Sequence, residues 1–264
     1  MSEIVTDEQL IAKFAEKAME EPAKEIKTLA PSESEVKLPG GFIDLDGQLH
    51  LTAEVKELTG ADEEAVAKTG SSGKALNALL QRGLVKLGNK TASATDLDTL
   101  LAGDRDAILL GIRKVTFGPS VDLNVRCFSC GDEHIADVDL NTDVPVKALD
   151  EPIENRRWEM ETKLGTAVVA LPNGITQKRL MENTDKTPAE INTLLLAGCI
   201  VSIDGTPSIG ASTALALGMA DRTKIIDEII KRNPGPRLGE VKKACKACGE
   251  PMDLPLSLLD LFRI

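Results

Sequence analysis

The chain has 264 residues, which is enough for two modest domains or one larger domain. Its formal net charge is −11, and aromatic residues make up only 2% of it. A protein that binds nucleic acid needs a basic face for the phosphates or aromatic side chains for the bases. The composition therefore argues against a nucleic-acid partner.

Hydrophobic residues, at 42%, suffice for a core, and no apolar run approaches the length that crosses a bilayer. The first residues lack the basic region and apolar core of a signal peptide. We therefore expect a protein without a membrane partner, made in a reducing cytoplasm where paired cysteines favour a metal over a disulfide.

Residues 1–37 differ in character from the rest of the chain. Thr6 is placed to cap a helix with Gln9 as its capping-box partner, and Leu10 and Phe14 then lie on one apolar face. A polar, Ser- and Glu-rich linker follows. We expect an amphipathic arm that docks on its own domain or on a neighbouring protein.

A first α+β unit is predicted over residues 38–148. Turn signals and apolar periodicity indicate a hairpin, two helices, a short strand and two further helices. The segments are a turn at Asp46-Gly47, a strand over 49–58, helices opening at Thr59 and Ala75, a strand over 84–88, and helices capped by Thr95 and Asp104. Ile108 and Ile112 lie on the apolar stripe of the last helix.

Two CxxC motifs contain four of the five cysteines, and each is followed at once by glycine: Cys127-Phe128-Ser129-Cys130-Gly131 and Cys245-Lys246-Ala247-Cys248-Gly249. Strand-like segments flank them, so each motif is predicted at the tip of a β-hairpin, where the glycine can close the turn. Tetrahedral zinc takes four ligands and each motif supplies two. We predict one structural zinc per chain, bound by Cys127, Cys130, Cys245 and Cys248 in a zinc ribbon.

Three other interpretations of the cysteines are open. A thioredoxin-like redox pair would open a helix in a βαβ setting, and disulfides would suit a secreted protein. In the third interpretation His134, four residues after Cys130, replaces one thiolate as a ligand, but an exposed strand histidine is the simpler expectation. The fifth cysteine, Cys199, lies in an apolar run and is expected to be a buried core thiol.

The second half repeats the order of the first. Leu194 matches Leu79 at an offset of 115 residues, Asp221 matches Asp104 at 117, and the cysteine motifs match at 118. A nearly constant offset predicts an internally duplicated module, with a linker over 149–163 and a second α+β repeat over 164–264. The turn at 38–41 pairs with 171–174 only at an offset of 133.

No catalytic motif accompanies the cysteines. The two histidines are not in a triad or metal spacing, and four thiolates would close the shell of a zinc ion. We therefore expect no enzyme activity and no small-molecule substrate. Arg105 and Arg222 recur at matching places, and a salt link to a neighbouring carboxylate is expected for each.

A family resemblance rests on these motifs. The run Leu100-Leu101-Ala102-Gly103-Asp104-Arg105 leads through Ile108-Leu109-Leu110-Gly111-Ile112-Arg113 and Thr116-Phe117-Gly118 into the first cysteine motif. With the opening Leu38-Pro39-Gly40-Gly41 and the ending Asn233-Pro234-Gly235-Pro236 before the second motif, it resembles the baseplate hub assembly chaperone family of T-even-type tailed phages. The likeness covers most of residues 38–264.

The resemblance implies a protein of the virion tail baseplate, synthesised in the bacterial host cytoplasm and bound to other tail or baseplate proteins. The family has no assigned catalysis, and by likeness the four motif cysteines are zinc ligands. The expected function is a non-enzymatic structural protein of a contractile-tailed phage baseplate, in the hub or wedge region. One alternative is a transient hub assembly chaperone that is absent from the mature virion. Another is a zinc-ribbon transcription regulator, which would need a basic face.

Overall fold

The computed structural model describes residues 34–183, 185–254 and 256–262. These residues form a mixture of helices and antiparallel strands, so the predicted α+β class is confirmed. The helix predicted to open at Thr6 lies outside the described residues.

The first half of the described chain runs from residue 35 to residue 147. Its elements are β1 (Glu35–Ile43), β2 (Leu49–Val55), α1 (Gly60–Ala67), α2 (Ser72–Gly83), β3 (Leu84–Leu87), β4 (Lys90–Thr91), α3 (Ala94–Thr99), α4 (Ala102–Phe117), β5 (Ser120–Arg126), β6 (Glu133–Asp139) and β7 (Val146–Lys147).

The second half runs from residue 154 to residue 262 and begins with a 3-10 turn at Glu154–Arg156. Its elements are β8 (Arg157–Thr162), β9 (Gly165–Ala170), α5 (Gly174–Met181), α6 (Pro188–Cys199), β10 (Ile200–Ile203), β11 (Thr206–Pro207), α7 (Ala211–Ala216), α8 (Met219–Arg232), β12 (Gly235–Pro236), β13 (Lys242–Ala244), β14 (Pro251–Asp253) and α9 (Leu258–Phe262).

Each half contains a four-stranded sheet, with strand order β1-β2-β3-β4 in the first and β8-β9-β10-β11 in the second. In both halves two helices join the second strand to the third, and two more follow the fourth strand. From the second strand to the last of these helices, matching elements start 114 to 117 residues apart. The two halves therefore share one order of elements.

One sequence pairing was wrong. Residues 38–41 lie inside β1, whereas residues 171–174 join β9 to α5. Both segments contain turn-forming residues, but Gly40 and Gly41 form an irregularity in β1, where the register shifts between Lys37 and Phe42. Glycine and proline mark a bulge as readily as a turn, which explains the false match.

Two predicted boundaries also need correction. β1 begins at Glu35, before the expected boundary at residue 38, and β8 lies within the predicted linker 149–163. Charged residues alternate along β8 with Trp158 and Met160, which pack against the core of the second half. A strand with one polar face looks like a linker when its partner strand is not known. The division into repeats over 38–148 and 164–264 stays a prediction.

Helix starts follow capping chemistry, although not always at the predicted residue. Thr187 caps α6 as predicted, because its hydroxyl accepts from the N–H of Glu190 while the Glu190 carboxylate accepts from the Thr187 N–H. α3 is capped by Ser93 rather than by Thr95, and α4 begins at Ala102, two residues before Asp104. At α3 the hydroxyl of Ser93 accepts from the N–H of Asp96, whereas the N-cap of α4 is Leu101, which has no capping side chain.

The hydrophobic core has two parts. The larger cluster contains the sheet and helices of the first half, both hairpins that carry the cysteine motifs, and α9. The smaller cluster belongs to β8–β10 and α6–α8 of the second half. The end of the chain therefore packs on the first half, and β12 pairs with β7 at the crossing.

The buried start of α4 is the centre of the contact between the halves. Arg105 is 1% exposed, and its guanidinium donates to the Gln177 side-chain oxygen (2.6 Å), the Leu97 carbonyl (2.7 Å) and the Asn77 side-chain oxygen (3.1 Å). The expected partner for Arg105 was a carboxylate, and this was wrong. Neutral oxygens can satisfy the fixed fork of N–H groups, and the nearby Asp106 is bound by Gln177 at 2.7 Å.

The second half makes matching contacts at its own arginine. Arg222 donates to the carbonyl of Ala214 (2.6 Å), eight residues before it, as Arg105 does to Leu97. It also donates to the hydroxyl of Thr193 (2.9 Å), which occupies the position of Asn77. The arginine thus supports the junction between two consecutive helices in each half.

Asp104, next to Arg105 in the chain, is completely buried. One carboxylate oxygen accepts from the N–H of Gly40 (2.7 Å), while the other is buried without a partner among the described residues. Burial raises the pKa of Asp104 to about 7. Its counterpart Asp221 accepts from the N–H of Lys163 (3.0 Å), so each aspartate connects its helix to the first strands of its own half.

Replacing Gly103 by alanine tests the close contact at the start of α4. A Cβ atom there would lie 1.7 Å from the carbonyl oxygen of Pro234, and backbone cannot move aside as a side chain can. We expect the free energy of unfolding to fall by about 3 kcal/mol, measured by urea unfolding. Gly239→Ala is the control, since nothing lies within 4 Å of its Cβ position. Equal stability of the two variants would contradict the contact.

Candidate metal centre

The first cysteine hairpin consists of β5 and β6, and the second of β13 and β14. Each motif lies in the turn between its strands, as predicted. In the first turn the Cys127 N–H donates to the carbonyl of Asp132 and the Gly131 N–H donates to the carbonyl of Cys127, both at 2.9 Å. The second turn makes the same two bonds around Cys245, at 2.8 and 2.9 Å. Gly131 and Gly249 have φ of 76° and 77°, the left-handed conformation expected of these glycines.

The four sulfur atoms of the two motifs lie together. The Sγ of Cys127 is 3.7 Å from that of Cys248, and the Sγ of Cys130 is 3.8 Å from that of Cys245. All four lie within 4.8 Å of one another. Cys127 and Cys245 are buried, whereas Cys130 and Cys248 are exposed. The structure therefore forms a possible metal site from two distant parts of the chain.

Backbone N–H groups face the first sulfur of each motif. The N–H of Cys130 lowers the pKa of Cys127 to about 7, and the N–H of Cys248 likewise lowers the pKa of Cys245. Hydrogen bonds to a thiolate favour the charged form, which is the form that binds metals. The turns therefore favour the thiolate form of the first cysteine in each motif, whereas the pKa values of Cys130 and Cys248, which lie against the other sulfurs, are raised.

Other contacts hold the two hairpins against each other. The Lys246 ammonium donates to the carbonyl of Ile135 in β6 (2.6 Å). Lys243 in β13 forms a half-buried ion pair of 2.6 Å with Asp143, which follows β6. Val241 and Met252 are buried in the core of the first half. These contacts place the sulfurs close together without needing the metal as the only link.

His134 is not the exposed strand residue that the sequence suggested. Its side chain is 11% exposed, and its Nδ1 lies 2.9 Å from a carboxylate oxygen of Asp132. Asp132, His134 and Cys245 offer ligand atoms within 4.8 Å of one another, and the Nε2 of His134 is buried without a partner among the described residues. No role was predicted for Asp132, although its place between Cys130 and His134 was a usable signal.

The remaining cysteine lies away from this cluster. Cys199 ends α6 in the core of the second half and is fully buried, as predicted. Burial raises the pKa of Cys199 to about 12, so its thiol stays protonated. Cys199 therefore belongs to the packing of that core.

The fold and the cysteine cluster define a mixed α+β protein with a possible four-cysteine metal site that brings the middle of the described chain together with its C-terminal part. The family model described as "T4 bacteriophage base plate protein" matches residues 33–251, which include both cysteine motifs, and the chain belongs to this family. No curated protein and no solved structure gives a significant match to the chain.

Family membership implies a structural role in the phage baseplate, a location in the virion tail and contact with other tail or baseplate proteins. It also suggests a non-enzymatic role. Among the helices of the described residues, none has the length and apolar character that spanning a membrane requires.

Alkylation of the thiols tests the different positions of the cysteines. We expect iodoacetamide to leave Cys199 unmodified in the folded protein and to modify it after denaturation, because the thiol is buried. Peptide mass spectrometry would measure both. The exposed Cys130 and Cys248, treated in the presence of a chelator, are the positive controls. Rapid modification of Cys199 in the native protein would contradict its burial.

Proposed function

We propose that this protein is a structural component of the virion baseplate of a contractile-tailed phage, in the hub or wedge region, and that one zinc ion stabilises it. The ligands would be Cys127, Cys130, Cys245 and Cys248. The observation that carries the proposal is the meeting of four sulfurs from two hairpins in a member of a baseplate family.

The sulfur positions fit a tetrahedral zinc site. A Zn–S distance of about 2.3 Å places the sulfurs of a regular tetrahedron about 3.8 Å apart. Two of the sulfur–sulfur distances between the hairpins are 3.7 and 3.8 Å, and all four sulfurs lie within 4.8 Å of one another. Four thiolates complete the coordination of zinc and leave no position for a reacting water or substrate. This favours a structural metal over a catalytic one.

The ion would close a long loop. There are 114 residues between Cys130 and Cys245, and they include the whole core of the second half. A disulfide closing about 100 residues restricts the unfolded chain by about 4.7 kcal/mol, and a metal that closes a loop acts in the same direction. The zinc would therefore close a loop that begins and ends at the first half and contains the core of the second half.

The two halves would be copies of one module, each ending in a cysteine hairpin. The shared strand order supports this, and so do the matching bonds of Arg105 and Arg222. The equivalent turns around Cys127 and Cys245 extend the correspondence to the hairpins. On this view the metal lies where the two copies meet.

Elemental analysis of the reduced, purified protein tests the zinc. We expect one zinc per chain, lost for the most part in Cys127→Ser and in Cys248→Ser because three thiolates hold zinc less tightly than four. A chelator should lower the thermal midpoint of the wild type, since metal binding and folding are coupled. Cys199→Ala is the matched control, because Cys199 lies outside the cluster, and it should keep its zinc. Wild-type protein free of zinc would refute the site.

Peptide mapping of purified virions of the encoding phage tests the structural role. We expect the protein at a fixed ratio to the other baseplate proteins, because a built-in component is retained in the finished particle. A transient assembly chaperone would be present in infected cells and absent from virions. That second outcome would replace the proposal with the chaperone alternative.

A further inference from the structure

We propose that the protein also associates with further copies of itself, head to tail, through a contact that repeats the one between its own halves. The acceptor face is the exposed α7–α8 junction, formed by Leu215, Gly218, Met219 and Ala220. The docking segment is residues 58–64, which lead from β2 into α1. The inference does not depend on the proposed zinc ion.

The internal contact supplies the pattern. The turn from β9 to α5 covers the junction between α3 and α4: the Ala102 N–H donates to the Pro172 carbonyl, and the Gly174 N–H donates to the Leu100 carbonyl, both at 2.9 Å. The Gln177 side chain then accepts from Arg105 at 2.6 Å. The turn before α5 in the second half therefore packs on the α3–α4 junction of the first half.

This cover buries the junction of the first half. Leu101 and Ala102 are 4% and 8% exposed, and Gly103 is buried. A Cβ atom on Gly174 would lie 2.2 Å from the carbonyl oxygen of Leu97, so the contact requires a glycine at this position. The fit is close and is made largely by backbone.

The matching junction of the second half has no such cover. Gly218, Met219 and Ala220 stand at the places of the buried residues in the first half, and all are exposed, Met219 at 86%. Leu215, at the place of Asp98, is 68% exposed. The Met219 N–H and the Leu217 carbonyl make no hydrogen bond with the described part of the chain. Apolar side chains and free backbone groups thus lie on the acceptor face.

The matching docking segment is also exposed. Thr59, Gly60 and Glu63, at the places of Asn173, Gly174 and Gln177, are all exposed. A Cβ atom on Gly60 would meet nothing within 4 Å, so nothing in its own surroundings requires the glycine that the internal contact needs at Gly174.

Charge and shape fit a second copy at these two surfaces. Glu63 would face Arg222 as Gln177 faces Arg105, so the neutral amide acceptor of the internal contact would be replaced by a carboxylate that carries the opposite charge to the guanidinium. A cavity of about 580 Å³ next to the docking segment is lined by Leu58, Val66 and other residues of the first half, together with Phe262 of α9. It offers an apolar recess beside the place where Leu215 would lie. Because the two surfaces differ, the association is heterologous and continues from copy to copy or closes into a ring.

Sedimentation velocity of the full-length protein over a concentration series tests this. We expect the wild type to form species larger than the monomer as concentration rises. Leu215→Asp on the acceptor face and Gly60→Trp on the docking segment should each weaken this association by about tenfold or more. Met219→Lys serves in place of Leu215→Asp if that variant unfolds. Leu45→Asp is the matched control, because Leu45 is 98% exposed in the turn between β1 and β2 and belongs to neither surface.

Mixing the two variants separates this interface from a symmetric one. Leu215→Asp keeps an intact docking segment and Gly60→Trp keeps an intact acceptor face, so the mixture should form a one-to-one dimer that does not grow. A wild type that stays monomeric at every concentration would overturn the proposal. That result is expected if residues 1–33 or a different protein occupies the acceptor face. Association that neither variant weakens, or a mixture that forms no dimer, would also overturn it.

Discussion

The meeting of two hairpins that are far apart in the chain constrains the rest of this structure. The first cysteine hairpin follows α4 directly, and the second is reached only after the whole second sheet and its helices. The chain must therefore leave the first half, fold a second core and return to the same place. The pairing of β7 with β12 and the packing of Val241 and Met252 on the first core achieve this return. Four sulfurs at metal-binding distances are the consequence.

The second constraint lies at the start of α4. A buried arginine there holds the end of α3 and a side chain of α5, so it connects the two halves in the same place where it stabilises a helix junction. Gly103 and Gly174 allow backbone to approach backbone at this contact. The arginine contact recurs at Arg222 in the second half, but no segment of the described chain covers the α7–α8 junction there. The junction that is buried in the first half is therefore exposed in the second.

The candidate metal site was predicted more fully than the fold. Two CxxC motifs with glycine at the same position specify the turn, the ligand type and the number of ligands, because each depends on residues close together in the chain. Corrections were needed where a side chain responds to distant residues. His134 is covered by the second hairpin, and Arg105 binds amide and carbonyl oxygens supplied by α2, α3 and α5. Neither environment can be read from neighbouring residues.

The sequence by itself determined the α+β class, the turns that carry the two CxxC motifs, the capping of α6 by Thr187, and the near-constant offset between the halves. These follow from backbone preferences and periodicity within a few residues, or from similarity along the chain. The tertiary structure alone decided that β8 is a strand, that the last hairpin packs on the first core, and that one helix junction is covered while its counterpart is exposed. Each of these depends on which surfaces meet in space, and burial is a property of both partners rather than of either segment.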